Sequence, residues 1–267
     1  MRGWTGLFRT SVGLGARHLA RHGYLREAVI RVVIPMDPSR YLELPWALAR
    51  LGDRPGRSVL DLASPKLLAV ALARRGVRVT TVDQLEDEVA SWRRLTAGEP
   101  GLRLQVADGR ALPFADASFD HATSISVLEH VAGESGDERA LAELARCTRP
   151  GGAILVTLPY ATRAWVEYRE RAAYVDSGER DDAGRAFFQR WYDDAEVARL
   201  VGAVPGVELV ESTVVGLRPD LNALYTRTFP LLVPAGWLFG LLARERRGAG
   251  GDVVRLVLRR LPAEGSP

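Results

Sequence analysis

From Arg57 onward, short runs of Val, Leu and Ile alternate with Ala/Arg/Leu/Glu stretches of helical period. Strands that alternate with helices in this way pair in parallel, because each helix carries the chain back across the sheet. Ser58-Val-Leu-Asp-Leu62 reads as a buried first strand. The helix after it is punctuated by Ser64 at the N-cap, Pro65 at the first helical position and Gly76 past its end. Val77 to Val82 is a second strand closed by Asp83, and a helix over Leu85 to Leu95 leads to a third strand, Leu102 to Ala107, ending at Asp108-Gly109. A fourth lies near Phe119 to Ile125. Ser135 and Glu138 have capping-box spacing ahead of a helical face of Leu141, Leu144, Ala145 and Thr148, and Ala153 to Leu158 follows Pro150-Gly-Gly152 as the fifth strand. Val207 to Val215 and Val253 to Leu261 bring the expected number to seven. The fold class expected is therefore α/β, a doubly wound, mostly parallel seven-stranded sheet. Residues 1–56 form an N-terminal helical cover and 57–267 the core, with lid-like insertions at about 160–192 and 216–251.

Composition narrows the function. A chain of 267 residues that is 47 % apolar can bury one substantial core. The net charge of +3 is too weak by itself to argue for a nucleic-acid partner, and with no strong basic stripe none is expected. Charge position says more: before Asp37 the only acid is Glu27, against Arg2, Arg9, Arg17, Arg21, Arg26 and Arg31, with apolar residues interleaved. These are either solvated arginines on covering helices or a basic surface for peripheral membrane contact. Arginine recurs too often for a signal peptide, so a cytoplasmic location is expected. The uncharged run Phe229 to Ala243 is shorter than the roughly 20 residues a spanning helix needs, and Pro230, Pro234, Gly236 and Gly240 interrupt it. It suits a hydrophobic acceptor, a lid or a homodimer interface. Cys147 is the sole cysteine, which leaves no intrachain disulfide and no cysteine-rich metal site.

In an open parallel sheet, ligands bind beyond the carboxyl ends of the strands. Asp61, Asp83, Asp108 and the turn Ser124-Ile125-Ser126 all fall on that edge. An adenosine ligand gives the set a reason. A carboxylate at the second strand's end can accept both ribose hydroxyls, and one after the third can accept the adenine amino group. A dinucleotide would need Gly-x-Gly-x-x-Gly after the first strand, where this chain has Leu62-Ala-Ser-Pro-Lys-Leu67. A nicotinamide-dependent reductase is disfavoured accordingly.

The runs Val59-Leu-Asp-Leu-Ala63, Val82-Asp83, Asp108-Gly-Arg-Ala-Leu-Pro-Phe114, Ala115-Asp-Ala-Ser-Phe-Asp120, Ser126-Val-Leu-Glu-His-Val131 and Arg149-Pro-Gly-Gly152 carry a family resemblance. In motif, order and spacing, from about Ser58 to Tyr160, the chain resembles the class I S-adenosylmethionine-dependent methyltransferases of the small-molecule, type 11-like kind, which have a Rossmann-like core. The resemblance implies S-adenosylmethionine as cofactor. Asp83 would hold the ribose, Gln84 would flank the adenine, Asp108 with Gly109 would take the amino group, and Ser124, Ile125 and Ser126 would line the sulfonium side. One departure stands out: Ala63, Pro65 and Leu67 occupy places where the family has glycines after Asp61. Either Ala63, Ser64 and Lys66, the only lysine, make a variant loop facing the cofactor carboxylate, or the chain is a non-catalytic binding or scaffold relative.

Glu129-His130 invites two further readings. Metal-assisted relatives have a Glu three residues before a Glu-His pair, where this chain has Ser126, so no metal is expected. His130 suits first a role in fixing the turn after the fourth strand, and is also a candidate general base, its reference pKa being near neutrality. Arg40 and Tyr41 from the cover, Tyr160 after the fifth strand, and Arg190 and Tyr192 before the late helix are candidates to roof an acceptor pocket. The expected activity is methyl transfer to a small-molecule or lipid-like acceptor, at oxygen or nitrogen.

Overall fold

The computed structural model describes residues 4–22, 40–174, 177–218, 244–248 and 252–262. Two helices, α1 (Trp4–His22) and α2 (Arg40–Leu51), precede the sheet. The alternating part then runs β1 (Ser58–Leu62), α3 (Lys66–Ala73), β2 (Arg78–Asp83), α4 (Glu86–Leu95), β3 (Leu102–Val106), β4 (His121–Ile125), a 3₁₀ turn (Leu128–His130), α5 (Gly136–Cys147) and β5 (Ala153–Pro159). After it come β6 (Trp165–Arg169), β7 (Ala186–Trp191), α6 (Asp194–Gly202), β8 (Val207–Arg218), β9 (Arg244–Arg247) and β10 (Val253–Arg260).

The main sheet has the order β3-β2-β1-β4-β5-β10-β8-β9. Its first five strands are parallel, while β10 runs antiparallel to both β5 and β8. It is the Rossmann-like, mostly parallel sheet expected, with eight strands rather than seven. The extra strand is β9, whose Arg244–Arg247 backbone pairs with Val215–Arg218. A four-residue Arg-Glu-Arg-Arg segment has no apolar alternation to announce it.

Both faces of the sheet are covered, which is why β1, β4 and β5 are almost wholly buried. On one side Leu7 and Leu14 of α1, Leu42, Leu44 and Leu48 of α2, Leu68 and Leu72 of α3 and Trp92 and Leu95 of α4 form one cluster. On the other, Leu141 and Leu144 of α5 and Val197 and Leu200 of α6 pack with Leu60, Ile154 and Leu256. Glu99 clamps the N-terminal layer down, accepting from Arg17 of α1 and Arg74 after α3.

Local caps differ in two places from expectation. Helix α3 starts at Lys66 with Pro65 as its N-cap, because the Ser64 hydroxyl turns away to accept the amide of Ile125. Ser135 is the N-cap of α5 but makes no side-chain cap, and Glu138 binds Arg199 instead. Asp193 does cap α6, accepting from the Glu196 amide. The first insertion contains the β6/β7 hairpin, at whose open end, next to β5, Trp165 stacks on Trp191. The run Phe229 to Ala243 lies outside the described residues, and among these no helix is long and apolar enough to cross a membrane.

The start of β1 is joined to the start of β4 through Asp120. Its carboxylate accepts the Ser58 amide and hydroxyl at 2.8 and 2.9 Å and a guanidinium N–H of Arg149 at 2.6 Å. Burial works to raise this carboxyl, but those donors outweigh it and hold it well below the usual carboxylate range. A depressed folded-state pKa means the stabilisation is complete above about pH 4, the unfolded carboxyl's value, and is lost as pH falls below it. Asp120→Asn is therefore expected to cost about 1–3 kcal/mol in urea denaturation at pH 7, and to flatten the acid limb of the stability curve.

Candidate functional site

The ends of β1, β2, β3 and β4 open on a cavity of about 610 Å³. Ala63, Ser64, Pro65 and Lys66 line it from the β1 end, Asp83 and Gln84 from β2, Asp108 and Gly109 from β3, and Ser126 and His130 from the turn after β4. Of the cofactor candidates, Ala63, Ser64, Lys66, Asp83, Gln84, Asp108, Gly109 and Ser126 are thus brought together on one wall. Asp61, Ser124 and Ile125 sit behind it, buried within their strands.

At the base of the cavity the lysine of the glycine-poor turn reaches across to the second strand. Lys66 Nζ donates to Asp83 Oδ2 at 2.7 Å and to the Ser64 carbonyl at 3.2 Å. Both side chains are under a tenth exposed. The other oxygen of Asp83 accepts the Leu85 amide at 3.1 Å. Behind the pair lies Asp61, which accepts the Thr81 hydroxyl at 2.9 Å on one oxygen and has no partner on the other. Burial pushes the Asp61 carboxyl up, against the pull of Lys66.

Ala63 adopts φ +48° and Ser126 φ +56°, the left-handed region that glycine enters freely and other residues enter at a cost. Both flank the cavity, at the ends of two adjacent strands. Ala63 thus takes a conformation in which a glycine would be unstrained. At Gly109 a Cβ would lie 2.8 Å from Leu62 Cδ1, so a larger residue there would require the Leu62 side chain to shift. Asp108 is gripped by Arg110 on both carboxylate oxygens at 2.8–3.1 Å, and this hydrogen-bonded guanidinium holds its carboxyl below the ordinary value.

The turn after β4 supplies the titratable groups. Glu129 is 1 % exposed; one of its oxygens accepts the Ser126 hydroxyl at 2.7 Å, and the other has no partner. His130 Nδ1 lies 2.8 Å from the Phe188 carbonyl on β7. A carbonyl can only accept, so in the neutral ring the proton sits on Nδ1 and Nε2 presents a lone pair. Burial lowers the pKa of His130. The rest of this end of the cavity is Arg40, Val127, Val131, Tyr174, Phe187 and Phe188. Tyr174 stacks on Phe188, with centroids 6.1 Å apart, and His130 meets both rings edge-on.

Among the roof candidates, Arg40 lines the cavity and donates to Glu43 at 2.6 Å. The other four are committed elsewhere. Tyr41 is buried in the core and packs against Trp4. Tyr192 is buried with its hydroxyl on Asp137 at 2.9 Å, and Tyr160 donates to Asp194 at 3.1 Å. Arg190 fastens β7 to the turn after β4 through the carbonyls of Val131 and Gly133. Tyrosine hydroxyls seek polar partners even in a core, so sequence position alone does not separate a roof from a strut. Sequence reasoning missed Tyr174, Phe187 and Phe188, whose signal is the apolar pair within an otherwise charged insertion.

Residues 60–156 match the family model described as "Methyltransferase domain". The chain is 38 % identical over 122 residues to a demethylmenaquinone methyltransferase of Beutenbergia cavernae, covering 45 % of this chain and 48 % of that protein. It is 32 % identical over 155 residues to an uncharacterized methyltransferase of Mycobacterium avium, covering 57 % and 59 % respectively. The chain therefore spans about half the length of these curated relatives. A similar fold occurs in a Burkholderia thailandensis 1,6-didemethyltoxoflavin-N1-methyltransferase with S-adenosylhomocysteine bound, at TM-score 0.52 and 21 % identity over 96 % of this chain and 88 % of that one.

The buried pair at the cavity floor has a direct test. Removing one partner of a buried ion pair leaves the other charge uncompensated, at about 3–5 kcal/mol. Lys66→Met, which strands Asp83 beside Asp61, is expected to lose that much in urea denaturation at pH 7. A loss under about 1 kcal/mol, the range of exposed pairs, would show that water already screens the carboxylates.

Proposed function

We propose that this chain, whose residues 60–156 match the model of a methyltransferase domain, transfers a methyl group from S-adenosylmethionine to a small, largely apolar acceptor at oxygen or nitrogen. The observation that carries the reading is the assembly of Asp83, Asp108, Ser64 and Ser126 around one cavity at the carboxyl ends of adjacent parallel strands. The cavity volume of about 610 Å³ suits a nucleoside cofactor with a small acceptor beside it.

The residues present fit an adenosyl ligand. Asp83 keeps acceptor capacity beyond its bonds to Lys66 and Leu85, since an ionised carboxylate offers about four lone-pair sites. Asp108 is half-exposed and oriented by Arg110. Asp61 and Ser124 each have a buried oxygen with no partner near the same strand ends. The bound cofactor supplies an activated methyl group, so the chain's task is alignment and removal of one proton. The start of α3 offers the positive end of its dipole to the cofactor's carboxylate, while Lys66 is committed to Asp83. His130 Nε2 accepts the proton that leaves the acceptor, and its tautomer is set in advance by the Phe188 carbonyl. Val127, Val131, Tyr174, Phe187 and Phe188 favour a flat or lipid-like apolar body over a sugar or phosphate.

A non-catalytic binding role is the second reading, favoured by the cation already seated on Asp83. Calorimetric titration with S-adenosylhomocysteine separates the two. The native chain is expected to bind in the micromolar range and Asp108→Ala, at a half-exposed position, at least tenfold more weakly; no heat with the native chain would sink the enzymatic reading. Once an acceptor has been found by screening, His130→Gln is expected to lower kcat by about 10²–10⁴ with cofactor affinity unchanged. Retained turnover would remove the base role.

A further inference from the structure

We propose that Glu129 is a positioning residue for proton removal: its buried carboxylate, once ionised, stabilises the imidazolium formed when His130 takes the acceptor's proton. This rests on the reading of His130 as base. Glu129 has no other evident task. It is 1 % exposed on a turn that faces the cavity, has one oxygen without a partner, and holds the other 3.8 Å from His130 Nε2. A carboxyl serving only the fold would be expected to have both oxygens satisfied, because an unpaired buried acceptor costs about 1–3 kcal/mol.

The surroundings determine which protonation state the pair adopts. Glu129 is faced by Ser126 from its own turn, by Arg40 and Glu43 of α2, by Tyr174 and by Tyr192. Glu43 is itself buried, accepting from Thr157 at 2.7 Å and from Arg40. Burial, with the nearby Glu43 adding to it, pushes the Glu129 carboxyl up to about 8. His130, faced by Arg40, Arg169 and Glu167, is pushed down by burial. At neutral pH the resting pair is therefore a protonated carboxyl beside a neutral imidazole. Above about pH 8 the carboxylate stands ready beside the base.

In the transfer step the acceptor's O–H or N–H bond breaks and its proton goes to His130 Nε2. The electron pair released at the acceptor is retained there as a bond forms to the methyl carbon, and the S–CH₃ pair goes to sulfur. The positive charge of the sulfonium is thereby exchanged for that of an imidazolium. That imidazolium lies 3.8 Å from Glu129, so the ionised carboxylate is the form that favours the step, and turnover should rise through the titration of Glu129.

The experiment needs neither cofactor nor acceptor, so its failure is distinguishable from failure of the base reading, which the His130→Gln turnover test decides. The imidazole C–H resonances of the full chain are followed by NMR from pH 5 to 9.5, with His130 assigned by its loss in His130→Gln. Groups this close titrate as a pair in two macroscopic steps. The His130 signal is therefore expected to show one inflection below 6.5 and a second near 8. Glu129→Gln has the shape of the protonated form, so it should melt as the native chain does at pH 7 while the upper inflection disappears. Should that variant not fold, Glu43→Gln removes the neighbouring like charge and should move the upper inflection to lower pH. A single inflection in the native chain, an upper inflection that survives Glu129→Gln, or one unmoved by Glu43→Gln would overturn the proposal.

Discussion

The contact between Lys66 and Asp83 holds the floor of the cavity together. Two adjacent parallel strands end there, and their last residues must pass close to one another without the glycines that usually make room. Ala63 takes the left-handed conformation that the turn demands, Ser64 sends its hydroxyl to the Ile125 amide, and Lys66 spans to the carboxylate of β2 at 2.7 Å. The Ser64 and Lys66 contacts tie the β1 turn to its neighbouring strands, so side-chain bonding substitutes for the backbone freedom of glycine. Lys66 also acts on the buried Asp61, whose carboxyl its charge pulls down against burial and the repulsion of Asp83.

A second constraint acts from above. The β6/β7 hairpin bends over the turn after β4 and is pinned there by His130 to the Phe188 carbonyl and by Arg190 to the carbonyls of Val131 and Gly133. The same hydrogen bond that fastens the hairpin also selects the tautomer of His130. Hairpin and His130 are therefore one mechanical unit, and a displacement of β7 would alter the tautomer of His130 as well as the shape of the cavity.

Much of this was legible in the residues. Strands buried on both faces tend to be apolar, so β1 and β5 announce themselves, and Asp83 closing β2 marks the edge that opens on the cavity. Asp83, Asp108 and Ser126 could be placed on one wall before any coordinates. What could not be read follows from interactions that leave no periodic trace. β9 pairs through its backbone with β8 and through Glu245 with Arg255 of β10, neither of which shows as apolar alternation, and the β6/β7 hairpin alternates weakly because much of β6 faces solvent. Tyr41 and Tyr192 look like cavity residues by position but are buried in the core, their rings packed on neighbours. The burial of Glu129 was equally hidden, since glutamate at a turn is ordinarily solvated.

Lysine's scarcity has a practical corollary. The chain has 36 basic residues, of which Lys66 is the sole lysine, and it is buried at the first residue of α3. A lysine-specific protease therefore has one cleavage point in the whole chain, and the native fold hides it beneath the cavity. Cutting requires the β1 turn and the start of α3 to come away from Asp83, so the rate at which two fragments appear measures the opening of this one turn, free of contributions from fraying elsewhere. Any molecule that occupies the cavity and braces that turn should slow the cut, whatever its chemistry, making the chain its own reporter of ligand occupancy.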